Sequence, residues 1–443
     1  MDDSPPRFPF PRHAIAAVAA GALVLRVVYV FGKRDQPPLG DAVYYSSQAE
    51  LLARGKGFVR PFFGGPAADH PPLTSLAMTP VVWVTDSLTA QRLAMAVIGV
   101  AVVIACAYLG HLVAGPRAAV IAGVIAAVYP NLWMNDALVM SDTLTALFVA
   151  LFLIAMYRWR ERPSVGTACL VGLAAGLGTL TRAEIPLLVV LVAVPVMLSA
   201  RSLARADRLR CLAATAVVAG LVLAPWVIPN LVRFDRPVLL SSNDGITLIG
   251  ANCDNTYENV IGFWDLTCAP TLPGDQSVQS AEYRRLAVDY VGDHLDRVPA
   301  VVAARVGRVW SAYRPYDMVY VNQAEGREAW ASRLGIWSYW ALLPFAAAGW
   351  WTLRQRRQPT WTLVAPFVTV TVVAAVFYGI TRFRVPAEVS IVVLSAVALA
   401  RISRSERVAT QSTDVPKGSE APPSRTRSAS VSPIAAAPMA GDV

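Results

Sequence analysis

The sequence predicts an all-α polytopic membrane protein. It has about ten transmembrane helices, a large first outer loop carrying interfacial helices, and a second large outer loop. Three observations predict this class. Of the 443 residues, 55% are hydrophobic and only 16% charged, where a soluble domain carries about 25% charged residues. Apolar runs of membrane-spanning length recur along the chain. The arginines collect at 158–162, 201–210, 354–357 and beyond Arg401. Ten spans counted from a cytoplasmic N-terminus place all four groups on the cytoplasmic side, where basic residues are in excess.

The elements follow in order. Residues 1–13, Pro-rich with Arg7 and Arg12, read as a cytoplasmic tail. Span 1, about 14–32, lacks a small-residue cleavage site and reads as a retained span rather than a signal peptide. Residues 33–89 form the first outer loop. Within it Asp41 opens an amphipathic helix, with Ala42, Tyr45, Ala49, Leu52 and Ala53 on one face. The apolar run 73–84 is short for a span and reads as interfacial or re-entrant. Spans 2 to 7 fall at about 90–113, 118–130, 139–157, 165–181, 185–199 and 212–230. Residues 231–330 are the second outer loop. Its basic stretch from Val298 to Arg314 is expected on the membrane surface or as a short span. Counting it as a span would move Arg354 to Arg357 outside, which argues against that choice. Spans 8 to 10 fall at about 331–353, 361–380 and 385–400, completing a membrane domain over 14–402. The tail 403–443, rich in Ser, Pro and Ala, is expected to be disordered and cytoplasmic.

The net charge of +9 suits an anionic lipid or substrate, although cytoplasmic loops alone could supply it. No soluble basic domain exists to bind nucleic acid. Of the five cysteines, Cys106, Cys169 and Cys211 sit in apolar spans. Cys253 and Cys268 lie in the second outer loop and are a candidate disulfide if that loop faces an oxidising compartment.

On this topology the polar residues that stand out converge on one side: Asp41, Asp69, His70, Asp136, Asp142, Arg182, Glu184, Arg382 and Arg384. Carboxylates and cations at adjacent span ends suit an anionic, lipid-linked substrate. Cations would hold a phosphate leaving group, and a carboxylate would deprotonate an acceptor. The plainer alternative is an interfacial rim of snorkelling Arg and solvated Asp. For Asp41 alone it is a helix N-cap. Arg26, within span 1, is expected to snorkel to the interface. Trp264 is a possible platform for acceptor stacking.

The motifs resemble the glycosyltransferase C superfamily, in the branch of protein O-mannosyltransferases and lipid A aminoarabinose transferases. The matching pieces are Gly40-Asp41-Ala42-Val43-Tyr44-Tyr45, His70-Pro71-Pro72-Leu73, Tyr129-Pro130, Met140-Ser141-Asp142-Thr143, Leu180-Thr181-Arg182, Ala224-Pro225-Trp226 with Asn230, and Arg382-Phe383-Arg384-Val385-Pro386. The resemblance implies transfer of a sugar from a polyprenyl-phosphate donor to an envelope glycan, lipid or protein. Transfer would occur at the outer face of the cell membrane, with inversion at the anomeric carbon. Asp41 would be the catalytic base or position the acceptor hydroxyl, and Asp142 a second acidic residue near the site. Tyr44, Asp69, His70, Asp136, Arg182, Glu184, Arg382 and Arg384 would contact substrate. The chain departs from some relatives in having Ala42 and Val43 after the first Asp, and His70 where a lysine stands. No cofactor is expected, although Asp41, Asp136 and Asp142 could offer oxygen ligands to a divalent cation. The alternative function is a transporter or flippase of a polyprenyl-linked sugar.

Overall fold

The computed structural model describes the backbone of residues 9–413 and the side chains of residues 9–402. Residues 1–8 of the expected N-terminal tail and 414–443 of the expected C-terminal tail lie outside the described residues. The chain divides into a unit over 1–401 and a second over 402–443, of which the end of the last helix is described.

Each expected span has a helix. They are α1 (Arg12–Gly32), α4 (Leu88–Ala114), α5 (Pro116–Val128), α6 (Ser141–Glu161), α7 (Val165–Thr179), α8 (Pro186–Leu198), α9 (Arg205–Arg233), α14 (Ala329–Gln355), α15 (Trp361–Val376) and α16 (Val385–Thr413). Five segments among the described residues are long and apolar enough to cross a membrane: α1, α4, α6, α9 and 381–402. The helices α5, α7, α8 and α15 are apolar but shorter. Two boundaries differ from expectation. Residues 205–210, read as loop, are the first turns of α9. The last helix, expected to span about 385–400, continues through Thr413.

Packing in this unit relies on small residues, as expected where apolar surface alone gives helices little reason to associate. Gly172 and Gly176 lie one turn apart on α7, which packs on α9. A Cβ at Gly172 would stand 2.4 Å from the Thr215 carbonyl oxygen, so side chains larger than hydrogen would force the two helices apart. Ser164 starts α7 with a reciprocal capping box to Thr167.

The loops add the helices that build the site. The first carries α2 (Asp41–Ala53) and α3 (Leu73–Val84). The second carries α10 (Asp244–Ala251), α11 (Gln276–Asp293), α12 (Val298–Val309) and α13 (Asp317–Ala324). The two loops are joined directly: Ser242 N–H donates to the Ala68 carbonyl at 2.7 Å, and Gln276 donates to Asp69 Oδ1 at 2.7 Å. Cys253 and Cys268 form a disulfide in the second loop.

The basic stretch 298–314 carries helix α12, whose arginine face is turned into the protein. The helix packs against α15. Arg305 donates to the carbonyls of Ala251 at 2.6 Å and Ala375 at 3.1 Å, and Arg308 to that of Ile261 at 2.7 Å. These guanidiniums satisfy carbonyls at loop and helix ends, a task that periodicity does not reveal.

Candidate active site

The α2 helix begins at Asp41, but its N-cap is Gly40, and the Asp41 carboxylate makes no capping hydrogen bond. Gly40 has φ +58° and ψ −137°, a conformation open to glycine and strained for any side chain. The turn there sends Asp41 into a cavity of about 450 Å³. Pro71 and Pro72 stiffen the approach to α3, and Leu73 N–H donates to the Leu180 carbonyl at 2.9 Å. This bond brings His70 beside the Thr181-Arg182 turn that follows α7. Arg382 enters from the short turn Thr381–Arg384 before α16.

The charges form one network. Arg382 reaches three carboxylates: Asp41 at 2.7 Å, Glu325 at 2.7 Å and Asp142 at 3.2 Å. Asp142 in turn receives Arg182 at 3.3 Å and Arg327 at 3.6 Å. Arg182 holds Glu184 at 2.5 Å, and Arg327 pairs with Glu325. His70 Nε2 stands 3.6 Å from Asp41 Oδ1. Three guanidiniums thus face four carboxylates, of which Asp142 is wholly buried while the Asp41 side chain is 31% exposed. Burial raises the Asp41 carboxyl, but the guanidiniums of Arg382 and Arg182, with His70, outweigh it. The net effect holds Asp41 well below the usual carboxylate range.

The cavity is two-faced. Asp41, His70, Arg182, Glu184 and Arg382 line its charged wall. Leu187, Val372, Val373, Val376, Phe377 and Phe383 line its apolar wall. Ser241, Asn243, Asp244 and Thr247, around the start of α10, close a third side with hydroxyl, amide and carboxylate groups.

Several expected site residues stand elsewhere. Asp136 is bound to Arg26 at 2.7 Å and accepts from the Thr143 hydroxyl at 2.7 Å, both away from the cavity. Arg26 does not snorkel: it is 1% exposed, with its charge met inside the bundle by Asp136. The three-carboxylate cation set of Asp41, Asp136 and Asp142 is therefore not assembled. Arg384 points inward, pairing with Glu388 at 2.5 Å and lying 3.6 Å over the Tyr339 ring. Tyr44 packs edge-on to His70 with its ring 5.0 Å away, and Tyr45, not Tyr44, lines the cavity. Asp69 stands behind the wall, paired with Arg60 at 3.6 Å. Asp142 is also set back, binding arginines rather than lining the cavity. Trp264 donates to the Ile246 carbonyl at 3.3 Å and leans on Tyr378, a cavity residue.

Sequence reasoning missed Glu325 and Arg327. They flank Gly326, whose φ of +88° makes the turn just before α14. Glu325-Gly326-Arg327 carries the same sequence signal as Arg182-Ala183-Glu184, opposite charges at the mouth of a span.

The profile of the dolichyl-phosphate-mannose-protein mannosyltransferase family matches residues 69–228. Among solved structures, the Archaeoglobus fulgidus oligosaccharyltransferase complexed with Zn and sulfate aligns at TM-score 0.54 and 16% identity, over 89% of this chain and 50% of that one. Its apo form aligns at TM-score 0.52 and 15% identity, over 92% and 52%. The chain therefore shares its fold with the archaeal oligosaccharyltransferase. It spans about half the length of the archaeal oligosaccharyltransferase. ArnT from Cupriavidus metallidurans in the apo state aligns at TM-score 0.41 and 15% identity, over 90% of this chain and 79% of that one. No curated protein matches the sequence. Among the described residues, no group of three or more His, Cys, Asp and Glu is arranged to hold a metal ion.

Proposed function

We propose that the chain is an integral membrane glycosyltransferase of the cell membrane. In this reading it moves a sugar from a polyprenyl-phosphate donor to an envelope glycan, lipid or protein at the outer face, with both termini cytoplasmic. One observation carries the reading: a single cavity sets an accessible carboxylate, two arginines and an apolar wall side by side. That combination suits a lipid phosphate, with prenyl carbons along Val372, Val376 and Phe377 and phosphate oxygens toward Arg382 and Arg182.

Asp41 would accept the proton of the acceptor hydroxyl as its oxygen attacks the anomeric carbon. The bond from that carbon to the phosphate oxygen breaks, and polyprenyl phosphate leaves with the electron pair, giving inversion. Asp41 at rest is a weak base because Arg382 holds it as a carboxylate. A donor phosphate that drew Arg382 toward itself would return basicity to Asp41, so the base would strengthen when substrate is present. Asp142, buried among three arginines, would fix where those arginines point. A divalent cation would have to displace Arg382 from Asp41, and no step here needs one.

The test uses the purified full chain in liposomes with a panel of polyprenyl-phosphate sugars and crude envelope acceptor, with and without a divalent cation. Release of polyprenyl phosphate from one donor supports the reading and names the sugar. No release from any donor by folded protein, together with movement of a donor across the bilayer, would favour the transporter.

A further inference from the structure

A second cavity, of about 460 Å³, stands at the other end of the bundle. Three helices connect the two. α6 runs from Asp142 to Arg160, α8 from just after the Arg182 turn to Leu198, beside Ser199, and α15 from Trp361 to Val376. At 1.5 Å per residue, the 21 residues of α6 separate the sites by about 30 Å. Trp159, Arg160, Pro195, Ser199, Ser202 and Trp361 line this cavity.

Among the described residues, Arg160 is the one charged residue lining it, and the segments that supply its lining are rich in arginine. The segments 158–162, 199–210 and 354–361 hold ten arginines and two carboxylates, Glu161 and Asp207. Both carboxylates are already taken, by Arg158 at 3.6 Å and Arg210 at 2.9 Å. Arg160 is half-buried and has no carboxylate partner among the described residues. At the Asp41 end, by contrast, each cavity guanidinium is matched to carboxylates. The indole N–H of Trp159, itself 1% exposed, also has no hydrogen-bond partner among the described residues. A half-buried guanidinium, an unsatisfied donor, and tryptophans at a helix end describe the headgroup level of a bilayer.

We propose that this cavity is a binding site for one anionic phospholipid headgroup, with the lipid phosphate on Arg160. The shared chemistry is a phosphate. The bilayer is the favoured source because the cavity sits at a helix end among interfacial aromatics. This site does not depend on the glycosyltransferase reading of the Asp41 cavity.

Native mass spectrometry of the full chain in detergent, titrated with phosphatidylglycerol or phosphatidylcholine, tests the proposal. Wild type should retain one phosphatidylglycerol in preference to phosphatidylcholine. Arg160→Gln should weaken that binding about fivefold or more. Arg356→Gln, exposed and outside the cavity lining, should leave it unchanged. Should Arg160→Gln fail to fold, Ser199→Trp fills the cavity without altering charge and should lose the lipid equally. Equal losses in Arg160→Gln and Arg356→Gln would mean diffuse attraction and overturn the site. Undiminished binding in Arg160→Gln would overturn it too. Displacement of the lipid by millimolar inorganic phosphate would make it a free-anion site instead.

Discussion

Arg382→Gln tests how the charge network serves the cavity. Arg382 touches three carboxylates, but they do not suffer equally when it goes. Asp142 keeps Arg182 at 3.3 Å and Arg327 at 3.6 Å, and Glu325 keeps Arg327. Asp41 keeps only His70, 3.6 Å away, while its side chain is 31% exposed to water. The loss in stability should therefore fall below the ~3–5 kcal/mol of a fully buried broken pair, at about 1–3 kcal/mol. Catalysis should suffer more, because the leaving phosphate loses a cation fixed in advance. That loss is about 3–4 kcal/mol, or 100- to 1,000-fold in kcat. Arg382→Lys should recover only a small part, since an ammonium cannot reach three carboxylates at once. The pH profile gives a second readout. With Arg382 in place, Asp41 stays ionised below the usual carboxylate range, so the acid limb of kcat/KM lies below about pH 4. Without Arg382, burial is less opposed, and the limb should move upward. The same sign applies to stability. The depressed carboxyl contributes above its unfolded pKa of about 3.9, and that contribution fades as pH falls through the native value. The assay is polyprenyl phosphate release across pH, with detergent melting as the fold control. A variant with wild-type rate and an unmoved acid limb would refute this reasoning.

Three further outcomes are expected. Asp136→Asn leaves Arg26 buried without a counter-charge and should destabilise by ~3–5 kcal/mol, seen as a lower melting temperature, while turnover per folded molecule is kept. Gly40→Ala puts a Cβ on a φ of +58° and should lower stability by about 1–3 kcal/mol. It should also lower turnover, because that turn aims Asp41; unchanged turnover would show that the turn does not position the base. Alkylation after denaturation should label Cys106, Cys169 and Cys211 without reductant and all five cysteines with it. Five labels without reductant would show that Cys253 and Cys268 are unpaired.

Much of this arrangement is legible in the chain, and the rest is hidden for identifiable reasons. The apolar runs mark the membrane helices because spanning length and hydrophobicity are local properties. Gly40-Asp41, His70-Pro71-Pro72, Arg182 and Arg382 are legible because chemistry at span ends leaves short, unusual polar clusters. The partners that decide what each charge does are not local. Asp136 and Arg26 lie 110 residues apart, and only the packing of α1 against the bundle shows that each satisfies the other. Glu325 and Arg327 come from the far end of the second loop, 57 residues from Arg382 in the case of Glu325. The pairing of Arg384 with Glu388, at i,i+4 on one helix, was open to sequence reasoning and would have removed Arg384 from the substrate contacts. The burial of Arg305 and Arg308 is not legible in the chain, because periodicity marks an amphipathic face without saying what covers it.

Asp41 as the base is tested most directly by comparing wild type with Asp41→Asn on the donor identified by the panel. The readout is polyprenyl phosphate released per folded molecule at saturating acceptor. Asparagine keeps the shape and can still accept a hydrogen bond from Arg382, but it cannot take a proton. If Asp41 is the base, kcat should fall at least about 100-fold, with the melting temperature close to wild type and donor binding retained. Release by Asp41→Asn within a few-fold of wild type would contradict it and move the base to another group lining the cavity.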